Sequence, residues 1–309
     1  MLCYALFCRE KKPYLHSLMN FSYLLRTVAI AVATFTTFSP SANALEVGTL
    51  SKAVQAEEAR LGARIGMAVF DAKDRTRWAH RGDERFPLNS THKSFSCAAL
   101  LKQVDRRVLA LENVISIERA SLVTYSPVME KTGGQVTLRE ACAASVSWSD
   151  NTAANIVTDA IGGPQAFTVF MRDIGDPHTR LDRKEPEMNE ATPNDLRDTT
   201  TPNAIVESLR RIILGDVLRE DSRALLTDWM INDKVADALL RATLPRTWSI
   251  ADKSGAGGHG SRSIVAVIWP KDRDPVVVGI YITQTSAPMA DSNAAIARLG
   301  SVLADALGR

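Results

Sequence analysis

The chain has 309 residues, 45% hydrophobic and 23% charged, with 37 Lys and Arg against 35 Asp and Glu. That length can bury a large core, as one mixed domain or as two closely joined ones. A formal net charge of +2 with no basic block or repeat excludes nucleic-acid binding as the main role.

Residues 1–44 read as an export signal. Arg9, Lys11, Lys12 and Arg26 precede the apolar run "TVAIAVATFTTF", which is followed by Ser39-Pro40 and the small-x-small triplet Ala42–Ala44. The run has 12 residues, too few to span a bilayer, which needs about 20. "MNFSYLLR" also makes Met19 a candidate start, since a complete signal follows it. No cysteine stands at the cleavage point, so no lipid anchor is expected. Cleavage near Ala44 would deliver the mature chain to the periplasm without a membrane anchor. Of the four cysteines, Cys3 and Cys8 fall in this leader, leaving Cys97 and Cys142. An even pair in an exported protein points to a disulfide. Its loop of 45 residues would give roughly 4 kcal/mol on the chain-entropy model.

Residues 46–61 have apolar positions at helical spacing, Val47, Leu50, Val54 and Leu61. "RIGMAVFD" (64–71) and "RTRWAHR" (75–81) read as a hairpin. From about residue 91 to 240 the pattern is helices broken by loops. Its clearest helix is "SFSCAALLKQVDRRVLAL", with Phe95, Leu101, Val104 and Val108 on one side. Strand character returns in "TWSIADKSG", "SIVAVIW" and "PVVVGIYIT", and "NAAIARLGSVLADAL" closes the chain as a helix. This order predicts a two-lobed α/β fold. Early and late strands unite in one antiparallel sheet flanked by N- and C-terminal helices (45–86 and 241–309), and an all-α lobe (87–240) is inserted between strands. A site would lie in the cleft.

Four stretches carry chemistry. Ser90-x-x-Lys93 places a hydroxyl and an amine one helical turn apart. The bland alternative is that Ser90 caps the helix. Ser149-Asp150-Asn151 also precedes a helix and also suits a cap. "ADKSGAGGHGSRS" holds Lys253-Ser254-Gly255 and spells G-x-G-x-x-G at Gly255, Gly257 and Gly260. A dinucleotide site would need a helix next, and the strand-like "SIVAVIW" follows instead. A second K-T-G at Lys131–Gly133 lies in a polar stretch and reads as a surface turn. The charged loop "RLDRKEPEMNEATPNDLRDTTTP" holds Glu185 before Pro186, with Arg180, Asp182, Arg183, Asp195 and Asp198 available to tie it internally. The five histidines have no metal-ligand spacing and no G-x-S-x-G elbow is present, so neither a metal, another cofactor nor a Ser-His-Asp triad is expected.

Taken in this order, the motifs resemble those of the class A serine β-lactamases over residues 45–309. The resemblance implies Ser90 as the acylated nucleophile, Lys93 as its proton-transfer partner and Ser149 as proton donor to the leaving nitrogen. Glu185 and Asn189, within a catalytic loop at 180–198, would activate water. The amides of Ser90 and Ala256 would form an oxyanion hole. Asn151 and Tyr125 would contact substrate, and Lys253, Ser254 and Arg262 would bind its carboxylate. It also implies a cis Glu185-Pro186 bond, a Cys97–Cys142 bridge and a monomer acting on small β-lactam antibiotics. "SGAGG" resembles carbenicillin-hydrolysing members, although many of those carry arginine at the Lys253 position. Asn89 departs from the apolar or sulfur residue more familiar before the nucleophile. The rivals are a penicillin-binding D-Ala-D-Ala peptidase or transpeptidase, which would lack the role given to Glu185, and a β-lactam sensor, which would be tethered to a signalling segment.

The leader generates the first prediction. N-terminal sequencing of exported protein is expected to begin near Leu45, and finding Met1 or Met19 intact would contradict the export reading.

Overall fold

The computed structural model describes residues 47–309, which fall within one compact unit. The segment expected to be a leader, with Met19, Cys3 and Cys8, lies outside the described residues. In chain order the elements are α1 (Val47–Leu61), β1 (Arg64–Asp71), β2 (Arg77–His80), β3 (Phe86–Pro87), α2 (His92–Asp105), β4 (Val114–Ser116), β5 (Gln135–Thr137), α3 (Leu138–Ser147), α4 (Asn151–Ala160), α5 (Pro164–Asp173), β6 (Thr199–Thr200), α6 (Pro202–Ile213), α7 (Glu220–Ile231), β7 (Ser249–Ala256), β8 (Arg262–Trp269), β9 (Val276–Thr283) and α8 (Met289–Ala306). Five strands form one antiparallel sheet in the order β2-β1-β9-β8-β7. Early and late strands therefore meet as the sequence predicts, with β9 between β1 and β8.

The sheet is covered on both faces, which explains strands that read as unbroken apolar runs. Alternate residues serve opposite cores. Ile65, Met67, Val69, Ile264, Ile268, Val278 and Ile280 pack with Leu50, Val54, Ile296 and Leu299 of the terminal helices. Ala68, Phe70, Val265, Val267, Val277 and Tyr281 belong to the core shared with Phe95, Leu100, Ile205 and Leu209 of the helical block. On that second face β1 carries Gly66. A Cβ there would fall 2.4 Å from the Phe86 ring and 2.8 Å from Pro202, so its hydrogen lets α6 lie close to the sheet.

Four expectations are corrected. The long helix from 94 stops at Asp105. The Val108 amide bonds to Gln103 O and the Arg107 amide to Val104 O, with Arg107 left-handed at φ 60°. This is the closure usually made by glycine, and it turns Val108 out to 67% exposure. The hairpin's second strand covers only Arg77–His80, because Arg75 turns at φ 63°. The exposed Lys131 turn is followed at once by β5, paired with β4, so a short strand does flank it. Finally, Cys97 and Cys142 are free and buried, not bridged. The Cys97 thiol points at the Cys142 carbonyl oxygen, 3.8 Å away, within an apolar core. Burial first, then Cys142, pushes that thiol well above its ordinary value. Among the described residues no helix is long and apolar enough to cross a membrane.

Gly66→Ala is expected to lower stability by about 1–3 kcal/mol, because the new methyl collides with packed ring atoms. An unchanged urea midpoint at constant m-value would show that α6 can move aside.

Candidate active site

Ser90 sits in a short 3-10 turn, Asn89–Thr91, that runs directly into α2. The cap reading fails on geometry. Neither the turn nor α2 has a side-chain cap bond, and Ser90 Oγ donates instead to Glu185 Oε1 at 3.4 Å. Strand β7 lies against this turn. A Cβ on Gly255 would come 2.7 Å from the Ser90 amide nitrogen, so only glycine allows the approach. Ser254, Gly255 and Ala256 then line the same cavity of about 360 Å³ as Ser90, Tyr125, Ser149, Asn151, Asn189 and Arg262.

Lys93 follows one turn after Ser90 and is fully buried. Its ammonium donates to Ser149 O (2.8 Å), Ser149 Oγ (3.3 Å) and Asn151 Oδ1 (2.6 Å), and it lies 3.1 Å from Glu185 Oε1. Burial pulls Lys93 below its ordinary value, with Glu185 opposing. Burial alone would raise Glu185, but the adjacent Lys93 ammonium and His92 outweigh it and hold the carboxyl at about 2. Glu185 is therefore an ionised acceptor facing the Ser90 hydroxyl.

The Ser-Asp-Asn triplet divides its labour. Asp150 is the cap of α4, accepting from the Ala153 amide (2.9 Å) and, through its other oxygen, from Val128 and Met129. Ser149 and Asn151 are left facing Lys93. Ser149 holds φ 57° and Tyr125 φ 62°, a strained conformation for side chains of this kind. The Asn151 amide donates to Tyr125 O, which ties the two segments across the cavity mouth. Lys253 reaches Ser149 Oγ from the other side, at 3.1 Å, so one hydroxyl bridges two lysines. Burial lowers Lys253 to about 8, with the Lys93 and Arg262 charges adding and Asp233 and Asp252 opposing. Arg262 is anchored by Asn293 Oδ1 (2.7 Å) and Gly255 O (3.0 Å). Lys93 and Arg262 thus stand close enough for their charges to act on Lys253, with Glu185 beside Lys93 and Asp233 near the other two.

The charged loop is held from within. Asp198 accepts from the amides of Asp182 and Arg183 and pairs with the Arg183 guanidinium, while Asp195 pairs with Arg197. Glu185-Pro186 is cis. Asn189 lines the cavity and donates to Glu185 Oε2, and its own Oδ1 is buried without a partner. Sequence reasoning missed Asn155, which clamps the main chain of Glu185 on both sides. It accepts from the Glu185 amide and donates to the Glu185 carbonyl, each at 2.9 Å. The available signal was its place one helical turn after Asn151. Also missed was His92, buried against Glu185. Gly257 and Gly258 pack on the same loop. A Cβ would fall 2.5 Å from Asn189 O at the first and 2.3 Å from Glu190 O at the second. Among the described residues no group of His, Cys, Asp and Glu could hold a metal.

The arrangement agrees with known proteins. A family model for the beta-lactamase enzyme family matches residues 49–307. Beta-lactamase AER-1 of Aeromonas hydrophila is 62% identical over 264 residues, covering 85% of this chain and 87% of that one. Beta-lactamase CARB-4 of Pseudomonas aeruginosa is 50% identical over 79% of this chain and 85% of its own length. The crystal structure of the chromosome-encoded beta-lactamase of Vibrio parahaemolyticus superposes with a TM-score of 0.81 at 44% identity, over 83% of this chain and 98% of that one. An ancestral class A beta-lactamase gives 0.82 at 47%, over 83% and 99%. The chain belongs to the beta-lactamase enzyme family and is a class A serine β-lactamase.

Proposed function

We propose that the site hydrolyses the lactam amide of carboxylate-bearing β-lactams in two steps through Ser90, and that residues 1–44 direct the mature monomer to the periplasm to do so. The observation that carries the reading is Glu185 Oε1, which accepts from Ser90 and lies beside Lys93.

In the first step Ser90 Oγ attacks the lactam carbonyl and gives its proton to the Glu185–Lys93 pair. The amides of Ser90 and Ala256 take the developing oxyanion. As the C–N bond breaks, the nitrogen takes a proton from the Ser149 hydroxyl, which Lys93 and Lys253 hold between them, and the proton taken from Ser90 passes through Lys93 to Ser149, which leaves Glu185 ionised again. Lys253, Ser254 and Arg262 attract the substrate carboxylate, and Asn151 and Tyr125 border its side chain. In the second step Glu185 deprotonates a water bonded to Asn189 Oδ1, the water attacks the ester, and Glu185 returns the proton to the leaving Ser90 oxygen, which restores both groups. A peptidase or transpeptidase shares the first step and must also release its acyl group, but the second step, hydrolysis of the ester left by a β-lactam, is not its task. The second needs a base held ionised near the ester, which Glu185 supplies, and the named relatives are all beta-lactamases. The "SGAGG" edge and the likeness to CARB-4 favour penicillins, carbenicillin among them.

Glu185→Ala is expected to slow deacylation by roughly 100- to 10,000-fold, the usual worth of a general base, while acylation persists. Mass spectrometry after mixing with penicillin should find a stable adduct on the Ser90 peptide. Turnover at the wild-type rate would remove Glu185 from the mechanism.

Lys253 gives a pH prediction. With its proton lost near pH 8, the ammonium is present below that pH and absent above it. The free enzyme's kcat/KM for penicillins should therefore fall as pH rises through about 8, and Lys253→Arg should carry the plateau higher. A wild-type profile flat well above pH 8 would show that this charge does not govern binding.

A further inference from the structure

Between nucleophile and lysine stands His92, a titratable side chain 2% exposed to which the two-step mechanism gives no part. Its Nε2 lies 3.4 Å from Glu185 Oε1, and its Nδ1 lies 3.1 Å from Ser96 Oγ, one turn along α2. The edge of Phe167 from α5 closes the pocket, centroids 6.3 Å apart.

The proton's position follows from its neighbours. Burial pulls His92 below its ordinary value, with Glu185 opposing, so the ring is neutral and carries one N–H. Glu185 is ionised and only accepts. A lone pair turned toward it would be repelled, so the N–H belongs on Nε2. Nδ1 is then the acceptor, and the Ser96 hydroxyl is the donor that can fill it. The charged groups around this pair are few. Lys93 lies beside both on α2, the Asp198 charge in the loop acts on the histidine, and Asp150 acts on Lys93. Asn189 fills the other carboxylate oxygen, and Asn155 holds only the Glu185 backbone.

We propose that His92 is a positioning residue for the base: Ser96 fixes its tautomer, and its Nε2–H steers Glu185 Oε1 toward Ser90 and Lys93 while weakening that oxygen's hold on a proton. The inference rests on the reading of Glu185 as the deacylating base. A carboxylate that loses a donor is less stabilised as the anion. Without the imidazole donor Glu185 takes up a proton at higher pH, and deacylation fails earlier on the acid side.

The test is the acid limb of deacylation, measured by pH-jump stopped flow on preformed penicilloyl-enzyme so that acid unfolding does not intrude. His92→Phe keeps a ring and removes both nitrogens. Its limb is expected to move upward by about one pH unit, the scale of one hydrogen bond to a charged group. His92→Gln returns an N–H near the Nε2 position and should bring the limb back. Ser96→Ala frees the tautomer and should move it part of the way. NMR of isotope-labelled histidine in the wild type should show the neutral Nε2–H form. An Nδ1–H tautomer, or limbs unmoved in both His92→Phe and Ser96→Ala, would reduce His92 to a packing residue. Where His92→Phe does not fold, Ser96→Ala and the tautomer decide. A wild type that forms no penicilloyl-enzyme sinks this inference together with the lactamase reading, whereas normal turnover with unmoved limbs sinks this one alone.

Discussion

The structure depends on a buried ion pair, Lys93 with Glu185, 3.1 Å apart and closed to solvent on both sides. Such a pair is costly to desolvate, and its Coulomb attraction compensates only when the remaining donors and acceptors are filled. Here they are. Lys93 has Ser149 and Asn151, and Glu185 has Ser90, His92 and Asn189. Every one of these partners comes from a motif or its immediate neighbour. The nucleophile is therefore not decorated by a separate catalytic apparatus. The groups that make the buried charges tolerable include those to which the proposed mechanism gives the proton transfers, Ser90 and Ser149.

Holding those groups requires backbones to approach closer than side chains permit, and glycine supplies the clearance. Gly255 brings β7 against the Ser90 amide, and Gly257 and Gly258 let the β7–β8 turn lie on the main chain of Asn189 and Glu190. The Gly258 amide donates to Asn189 O at 2.8 Å. Gly255 and Gly257 of the Gly-x-Gly-x-x-Gly spelling, with Gly258 beside them, thus have a purpose unrelated to phosphates. They join the strand that carries Lys253 to the loop that carries Glu185, so the cations proposed to bind the carboxylate and the base proposed to deacylate sit on one packed surface.

Strands were legible because both faces of the sheet are buried, which makes "RIGMAVFD" and "SIVAVIW" apolar throughout. The motif residues were legible because their spacing puts chemistry at element starts. What escaped shares one cause: it depends on a contact between distant segments or on an unusual local backbone. Arg107 ends α2 in a conformation usually left to glycine, and no composition rule places it there. Asn155 looks like any polar helix residue until α4 docks on the Glu185 backbone. The cysteines had the right count and compartment logic for a bridge, but count says nothing about where a sulfur points, and Cys97 is aimed at a carbonyl.

The same distinction clarifies Ser149. As a sequence feature it belonged to a capping triplet, and a cap is what Asp150 provides. With that duty discharged by its neighbour, Ser149 is free to adopt a left-handed backbone at φ 57°. The surroundings secure that conformation: its carbonyl is bonded to Lys93, and its hydroxyl is bonded to both lysines. A hydroxyl accepting from two ammonium groups has its own proton left to donate, and the only direction open to it is the cavity. A serine placed as a strained neighbour of a cap thus keeps its proton for a group in the cavity, because the two cations have taken its lone pairs, and this is what the role proposed for it, donor to the leaving nitrogen, requires.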